Sequence, residues 1–232
     1  MTIQAQHSTL YYISKTTRYS LAIVGIVFSS IVITTINPVL ATPSVETLAL
    51  YNQAASGDES KVDEVYKQLN DNLNQQGATP LNLVYLGSTQ TLQGRDAFLP
   101  WNKMKFTEKG LATIDKALNL LGNLNTPLEQ QDIVQGLPEA YLTQAMAAVT
   151  YSQLPDLFNH FERGYDLFIG LLSEPQFEQQ HFAATAWIYH YAIKASLRAN
   201  DLEQAKQWLQ IMESKDPQHA DTIAAKALIS NT

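Results

Sequence analysis

One apolar motif recurs along this chain at a fixed spacing. Gly57-Asp58 precedes Val62, Tyr66 and Leu69; Pro155-Asp156 precedes Phe161, Tyr165 and Phe168; Asn200-Asp201 precedes Ala205, Leu209 and Met212. Each triplet follows the pattern x, x+4, x+7, which is one stripe of an α-helix. Gly110, Ile114 and Ala117 repeat the spacing without the turn before it, and the four triplets start 48, 51 and 44 residues apart. A single helix hairpin cannot bury such a stripe by itself, so a repeat on this scale predicts hairpins stacked on their neighbours.

Few segments read as strands, and the fold class is all-α. The periodicity predicts about nine helices, over roughly 44–56, 59–75, 79–94, 103–121, 138–153, 156–172, 176–199, 202–214 and 218–229. Asp58, Asp156 and Asp201 stand just before apolar-periodic runs, where a carboxylate can accept from free backbone N–H groups. Gln204, three residues after Asp201, approaches a capping box. Pro80, Pro138, Pro155, Pro175 and Pro217 fall near helix starts or in breaks. The longest connection is 122–137, with Gly122, Pro127 and Gly136, and it has room for a short turn of helix.

Ala205, Leu209, Met212 and Pro217 follow the small, bulky, small and Pro order of a tetratricopeptide second helix, and Leu86-Gly87 matches the Leu-Gly pair of a first helix. The chain thus resembles the tetratricopeptide-repeat family over most of 44–217, with only 186–217 near the family's 34-residue length. The string from Tyr85-Leu86-Gly87-Ser88 through Gly94-Arg95-Asp96-Ala97 to Pro100-Trp101-Asn102-Lys103 is similar to a group of exported bacterial proteins of this type, which bring no activity with them. The resemblance implies a tetratricopeptide-like α-solenoid of antiparallel helix hairpins over 42–232.

The first 41 residues read differently. Lys15 and Arg18 flank an uncharged apolar run from Leu21 to Ile36, and Val39-Leu40-Ala41 offers a cleavage site, which predicts a signal peptide. The alternative is an uncleaved inner-membrane anchor over 21–40, a stretch about long enough to span a bilayer. Export implies a periplasmic or secreted protein. With no Cys, disulfides, thiolate chemistry and attachment through a lipidated N-terminal Cys are excluded. Lys15 and Arg18 are the only formal charges before Glu46, so the remainder carries the other 13 basic and all 22 acidic groups, a net charge of −9. Such a body argues against nucleic acid as a partner, and it meets membrane only through the N-terminal segment if that is retained.

Motifs for chemistry are sparse. The sequence offers no phosphate-cradling Gly-rich loop and no two-His zinc motif on a helix. Glu178 and His181 have the Glu-x-x-His spacing of di-iron bundles, but no second such pair accompanies them. His160, next to Phe161 and Glu162, reads as an exposed helix residue. No trio of residues shows the roles that catalysis requires, so the expectation is a non-enzymatic protein with no catalytic residue, metal or cofactor. Phe182 to Ala199 is apolar around most of its circumference. It reads as a central helix between neighbours, or alternatively as one wall of a ligand pocket near Trp187 and Tyr191.

The segment from Gly87 to Gly110 spans 23 residues, where a tetratricopeptide unit allows about a dozen. The surplus, 95–105, predicts a loop or bent extension carrying Phe98, Leu99 and Trp101 beside Arg95, Lys103 and Lys105. Two readings are open. Trp101 folds back as a staple over the hairpin end, or Arg95, Phe98, Trp101, Lys103 and Lys105 form a docking surface. The functional expectation is an adaptor or scaffold that holds a protein or peptide in the bacterial cell envelope. The alternative is a carrier of a small ligand or lipid in a pocket between hairpins.

Overall fold

The computed structural model describes residues 42–230. The signal-peptide and anchor readings fall on 1–41, outside the described residues. From 42 onward the chain is all-α, with one two-residue-long β-ladder among the described residues.

The helices are α1 (Val45–Ala55), α2 (Val62–Gln76), α3 (Pro80–Asp96), α4 (Pro100–Gly122), α5 (Glu139–Gln153) and α6 (Phe161–Leu172), then the single turn α7 (Pro175–Glu178) and α8 (Phe182–Arg198), α9 (Leu202–Lys215) and α10 (Ala220–Ser230). Their ends follow local chemistry. The Ser44 hydroxyl accepts from the Thr47 amide at 3.1 Å, and Thr79 does the same for Asn82 at 3.1 Å, one residue ahead of Pro80. Asp201 accepts from the Gln204 amide at 3.0 Å, as the sequence predicts. Asp58 caps a short 3-10 turn, Glu59–Lys61, that leads into α2. Asp156 is not a cap. It opens a separate 3-10 turn, Asp156–Phe158, which Asn159 ends at φ 56°, so the helix expected over 156–172 begins only at Phe161.

Two other boundaries differ from the sequence reading. The helix expected over 176–199 is broken into α7 and α8, because Phe177 turns into the core and His181 (ψ 123°) leaves the helical conformation before Phe182. The 122–137 connection holds the 3-10 turn Leu128–Gln130 and a hairpin of β1 (Ile133–Val134) on β2 (Leu137–Pro138). Ile133 pairs with Pro138 and Val134 with Leu137, across Gln135-Gly136, both at positive φ.

Successive helices pack as pairs: α1 on α2, α3 on α4, α5 on α6, α8 on α9, with α10 closing against α8 and α9. Between pairs, α1 touches α3, α3 touches α5 and α5 touches α8, while α2, α4 and α6 each lie against the first helix of the following pair. The recurring triplets supply this packing. Val62, Leu69, Ile114, Ala117, Phe168, Ala205 and Met212 are buried, while Tyr66, Phe161, Tyr165 and Leu209 sit half-buried at its edge. Small residues let backbones approach. A Cβ on Gly164 would lie 2.7 Å from the Ser152 nitrogen and 2.9 Å from the Ala148 oxygen, so α5 and α6 cross where only glycine fits.

Candidate functional site

The surplus segment does not form a loop. It lengthens both helices of the α3–α4 hairpin and leaves only 97–99 between them. Ala97 is extended (ψ 134°) and stops α3. Pro100 opens α4, where its missing N–H costs nothing, and Asn102 lies inside the helix. Nor does Trp101 fold back as a staple. It is 65% exposed, and Phe98, in the turn itself, is 92% exposed. Lys105 is exposed one helical turn beyond Trp101.

Arg95 and Lys103 have other positions. The Arg95 guanidinium donates to the Ala54 carbonyl at 3.1 Å and to the Asp96 carboxylate at 2.5 and 2.8 Å, and so closes the C-terminal end of α1. Its pKa is raised, first by the hydrogen bonds it donates to Asp96, against an opposing effect of burial. Lys103 donates to the Arg95 carbonyl at 2.7 Å. Among the described residues, no carboxylate lies within ion-pair distance of the Lys103 ammonium.

Both cations line a cavity of about 730 Å³. Tyr51 and Ala55 of α1, Ser88, Thr91 and Leu92 of α3, and Val149, Thr150 and Gln153 of α5 form its floor and sides. The start of α4 contributes Pro100, Lys103, Met104 and Thr107, and α8 contributes Tyr191. Leu154, Pro155, Leu157 and Phe158 make the wall opposite α4, with Leu157 65% exposed at the mouth. Arg198 holds that wall. It donates to the Ser152 carbonyl at 2.7 Å and the Leu154 carbonyl at 3.0 Å, and it pairs with Asp156. Arg95 closes α1 beside the cavity in the way that Arg198 closes α5.

On the floor, the Ser88 and Thr150 hydroxyls are 2.7 Å apart, and Thr150 also donates to the Met146 carbonyl at 2.9 Å. Thr150 has one proton, so Ser88 is the donor of the first bond. Tyr51 is buried beside them. Burial raises its pKa above the ordinary phenol range, and the nearby Tyr191 adds to the rise. The lining includes neither a carboxylate nor an imidazole. No group in the lining is therefore placed to take the Ser88 proton.

The structure thus brings together Arg95, Lys103 and Tyr191, which the sequence reading divides between a docking surface and a pocket. It does not bring Phe98, Trp101, Lys105 or Trp187 to the cavity. Trp187 is half-buried and meets the Tyr191 ring edge-on at 6.5 Å. Glu178 ends α7 and His181 precedes α8, both exposed. His160 is not an exposed helix residue. It is the half-buried residue before α6, with its ring 5.1 Å from that of Tyr151. Sequence reasoning missed the Ser88–Thr150 pair, whose partners are 62 residues apart, and the wall 154–158. The signal for the wall was Asn159-His160 ahead of the Phe161 triplet, a turn between Pro155 and the helix.

Compared with known proteins, the chain matches no family model, no curated protein and no solved structure.

Proposed function

We propose that this protein is a non-enzymatic carrier that holds a small apolar ligand in the cavity between α1, α3, α4, α5 and α8. One observation carries the reading: an open-mouthed cavity of about 730 Å³ lined by five helices, mostly apolar, with Ser88 and Thr150 hydroxyls that bond each other. That volume lies in the range of small-molecule sites, which occur between helices of all-α folds. The test is native mass spectrometry of the protein purified without detergent, followed by titration with the neutral fluorophore N-phenyl-1-naphthylamine. A bound mass and saturable fluorescence are expected, and both should be lost in Gln153→Trp, which fills the cavity from an exposed lining position. If the protein carries no bound mass and the dye binds Gln153→Trp as it binds the parent, the carrier reading falls.

A second reading rests on a different observation. Phe98 and Trp101 protrude from the α3–α4 turn at 92% and 65% exposure. An adaptor that grips a protein or peptide partner would use such an apolar tip, with Lys105 at its edge. Cross-linking through a photoreactive residue at 98 would trap one defined partner if this holds.

The tetratricopeptide-like arrangement belongs to the same proposal. Its support is the row of first helices α1, α3, α5 and α8, with each second helix seated on the next pair. Export to the periplasm or beyond is also proposed, on the segment 1–41. Among the described residues no helix is long and apolar enough to cross a membrane. Sequencing the N-terminus of envelope material is expected to return Thr42. Recovery of Met1 or Thr2 would favour an anchor over 21–40 instead.

A further inference from the structure

We infer that the cavity selects an amphipathic acid: a small molecule with an apolar body and one anionic head, the head meeting Lys103. This rests on the carrier reading and adds to it the ligand's charge.

The first ground is charge. From Glu46 onward the chain has 22 acidic and 13 basic side chains. Against that background, the cavity lining includes two cations and no carboxylate. A cationic mouth in an acidic body attracts anions locally and disfavours cationic guests.

The second ground is that the two cations are not equivalent. Arg95 commits four of its five N–H donors to Ala54, Ala55 and Asp96, and Asp96 neutralises it. The Lys103 ammonium gives one bond, to the Arg95 carbonyl at 2.7 Å. An ammonium has three donors, so it retains capacity for an incoming anion, and none of the protein's own described carboxylates reaches it. That makes Lys103 the point of charge complementarity.

The third ground is what lies around Lys103. Met104 follows it on α4, and Leu92, Val149, Leu154 and Phe158 form the walls. The floor hydroxyls of Ser88 and Thr150 are already bonded, to each other and to Met146. They make little demand on a guest, and a long apolar chain can lie over them. One anionic head and one apolar body therefore satisfy the site better than a guest polar along its length, such as an extended peptide.

The test compares two dyes that differ by one charge. 8-Anilino-1-naphthalenesulfonate is an apolar anion, and N-phenyl-1-naphthylamine is the same framework without the sulfonate. Each is titrated into the full-length protein, and the signal counted is the part lost in Gln153→Trp. The anion is expected to bind about fivefold more tightly than the neutral dye, as for a partly exposed ion pair. Lys103→Met should bring that ratio to about one, and Lys103→Glu should invert it. Decanoate should displace the anionic dye, and decanol should do so less well.

Equal affinities, or a ratio unchanged in both Lys103 variants, would overturn the inference and leave the carrier reading intact. If the Gln153→Trp variant loses neither dye, the carrier reading fails and takes this inference with it. Displacement by a neutral apolar peptide such as acetyl-trileucine amide, with none by decanoate, would overturn it in favour of a polypeptide guest.

Discussion

Gly87 and Gly110 face each other across the α3–α4 hairpin so closely that side chains are excluded. A Cβ on Gly87 would lie 2.7 Å from the Gly110 oxygen, and one on Gly110 would lie 2.5 Å from the Gly87 oxygen. The contact is backbone on both sides, so no rotamer relieves it. Gly94 repeats it one level further on, with the Lys103 oxygen 2.9 Å from its added Cβ. These contacts fix how far apart α3 and α4 stand, and therefore where Ser88, Thr91 and Lys103 meet the cavity.

Gly87→Ala is accordingly expected to destabilise the protein, despite alanine's higher helix propensity. Forcing a methyl group into a packed crossing costs about 1–3 kcal/mol. In a domain of this size each kcal/mol lowers the melting temperature by about 2–4 °C. Gly122→Ala is the control. It closes α4 with nothing within 4 Å of an added Cβ, so its melt should match or slightly exceed the parent's. A Gly87→Ala protein that melts with the parent would mean that α3 and α4 are not this close.

Ala205 gives a sharper test of the last repeated triplet. It is fully buried, as is Met212 seven residues on. Ala205→Asp places a carboxylate among apolar groups with no partner, at a cost of several kcal/mol out of a total stability of about 5–15 kcal/mol. Circular dichroism should show loss of the cooperative melt or a large fall in its midpoint.

Much of this fold was legible because its periodicity is strong. The triplet residues Val62, Leu69, Phe168, Ala205 and Met212 all reach the core, and the Asp201 cap forms as read. Helix boundaries were less legible where tertiary packing decides them. Phe177 takes a core position beside Tyr141 and Tyr189, which separates α7 from α8 in a stretch that reads as one helix. The 95–105 surplus was misread for another reason. Pro100 signals a break, but a proline is also a good first residue of a helix, and the sequence alone does not say which. The cavity was the least legible part. Lys103 and Tyr191 are distant in the chain, and the Arg198 bonds to Ser152 and Leu154 span 46 and 44 residues with no local signature.

Those Arg198 bonds make a prediction about the cavity wall. Hydrogen bonds from a charged donor to backbone carbonyls contribute about 1.5–3 kcal/mol. The partner Asp156 is 90% exposed, so the ion pair itself contributes little. Arg198→Ala should therefore lower the melting temperature and speed amide exchange across 154–158, whereas Asp156→Asn should do neither. Arg198→Lys should recover part of the loss, because both carbonyls accept from one guanidinium nitrogen, Nη1, a role that a single ammonium can fill.

Trp101 separates stability from surface. At 65% exposure it anchors little, and Trp101→Ala should change stability by no more than about 0.5 kcal/mol. Trp208, 4% exposed and edge-on to Tyr165, is the contrast. Trp208→Ala should cost about 3–5 kcal/mol. If the two melts fall together, Trp101 is buried in solution and the tip is not available to a partner.

Acid should loosen the C-terminal end of the protein before the rest, through His190. This residue lies half-buried on α8 against α10, and its ring Nδ1 has no hydrogen-bond partner among the described residues. Burial lowers its pKa below 6.5, Lys194 contributes in the same direction, and Asp221 opposes them both. In the unfolded chain the imidazole titrates near its ordinary value. A folded pKa below that value means that the fold favours the neutral ring. The stabilising contribution is therefore complete above the unfolded pKa of about 6.5 and is lost as pH falls through it toward the lower folded value. Melting temperatures measured from about pH 7.5 down to about pH 5 should fall across that window, before most carboxylates titrate. His190→Gln should flatten that part of the profile, since a neutral side chain of similar shape has no proton to take up. A parent profile that is level from pH 7.5 to 5, or one that His190→Gln leaves unchanged, would show that His190 is solvated and that α10 does not cover it.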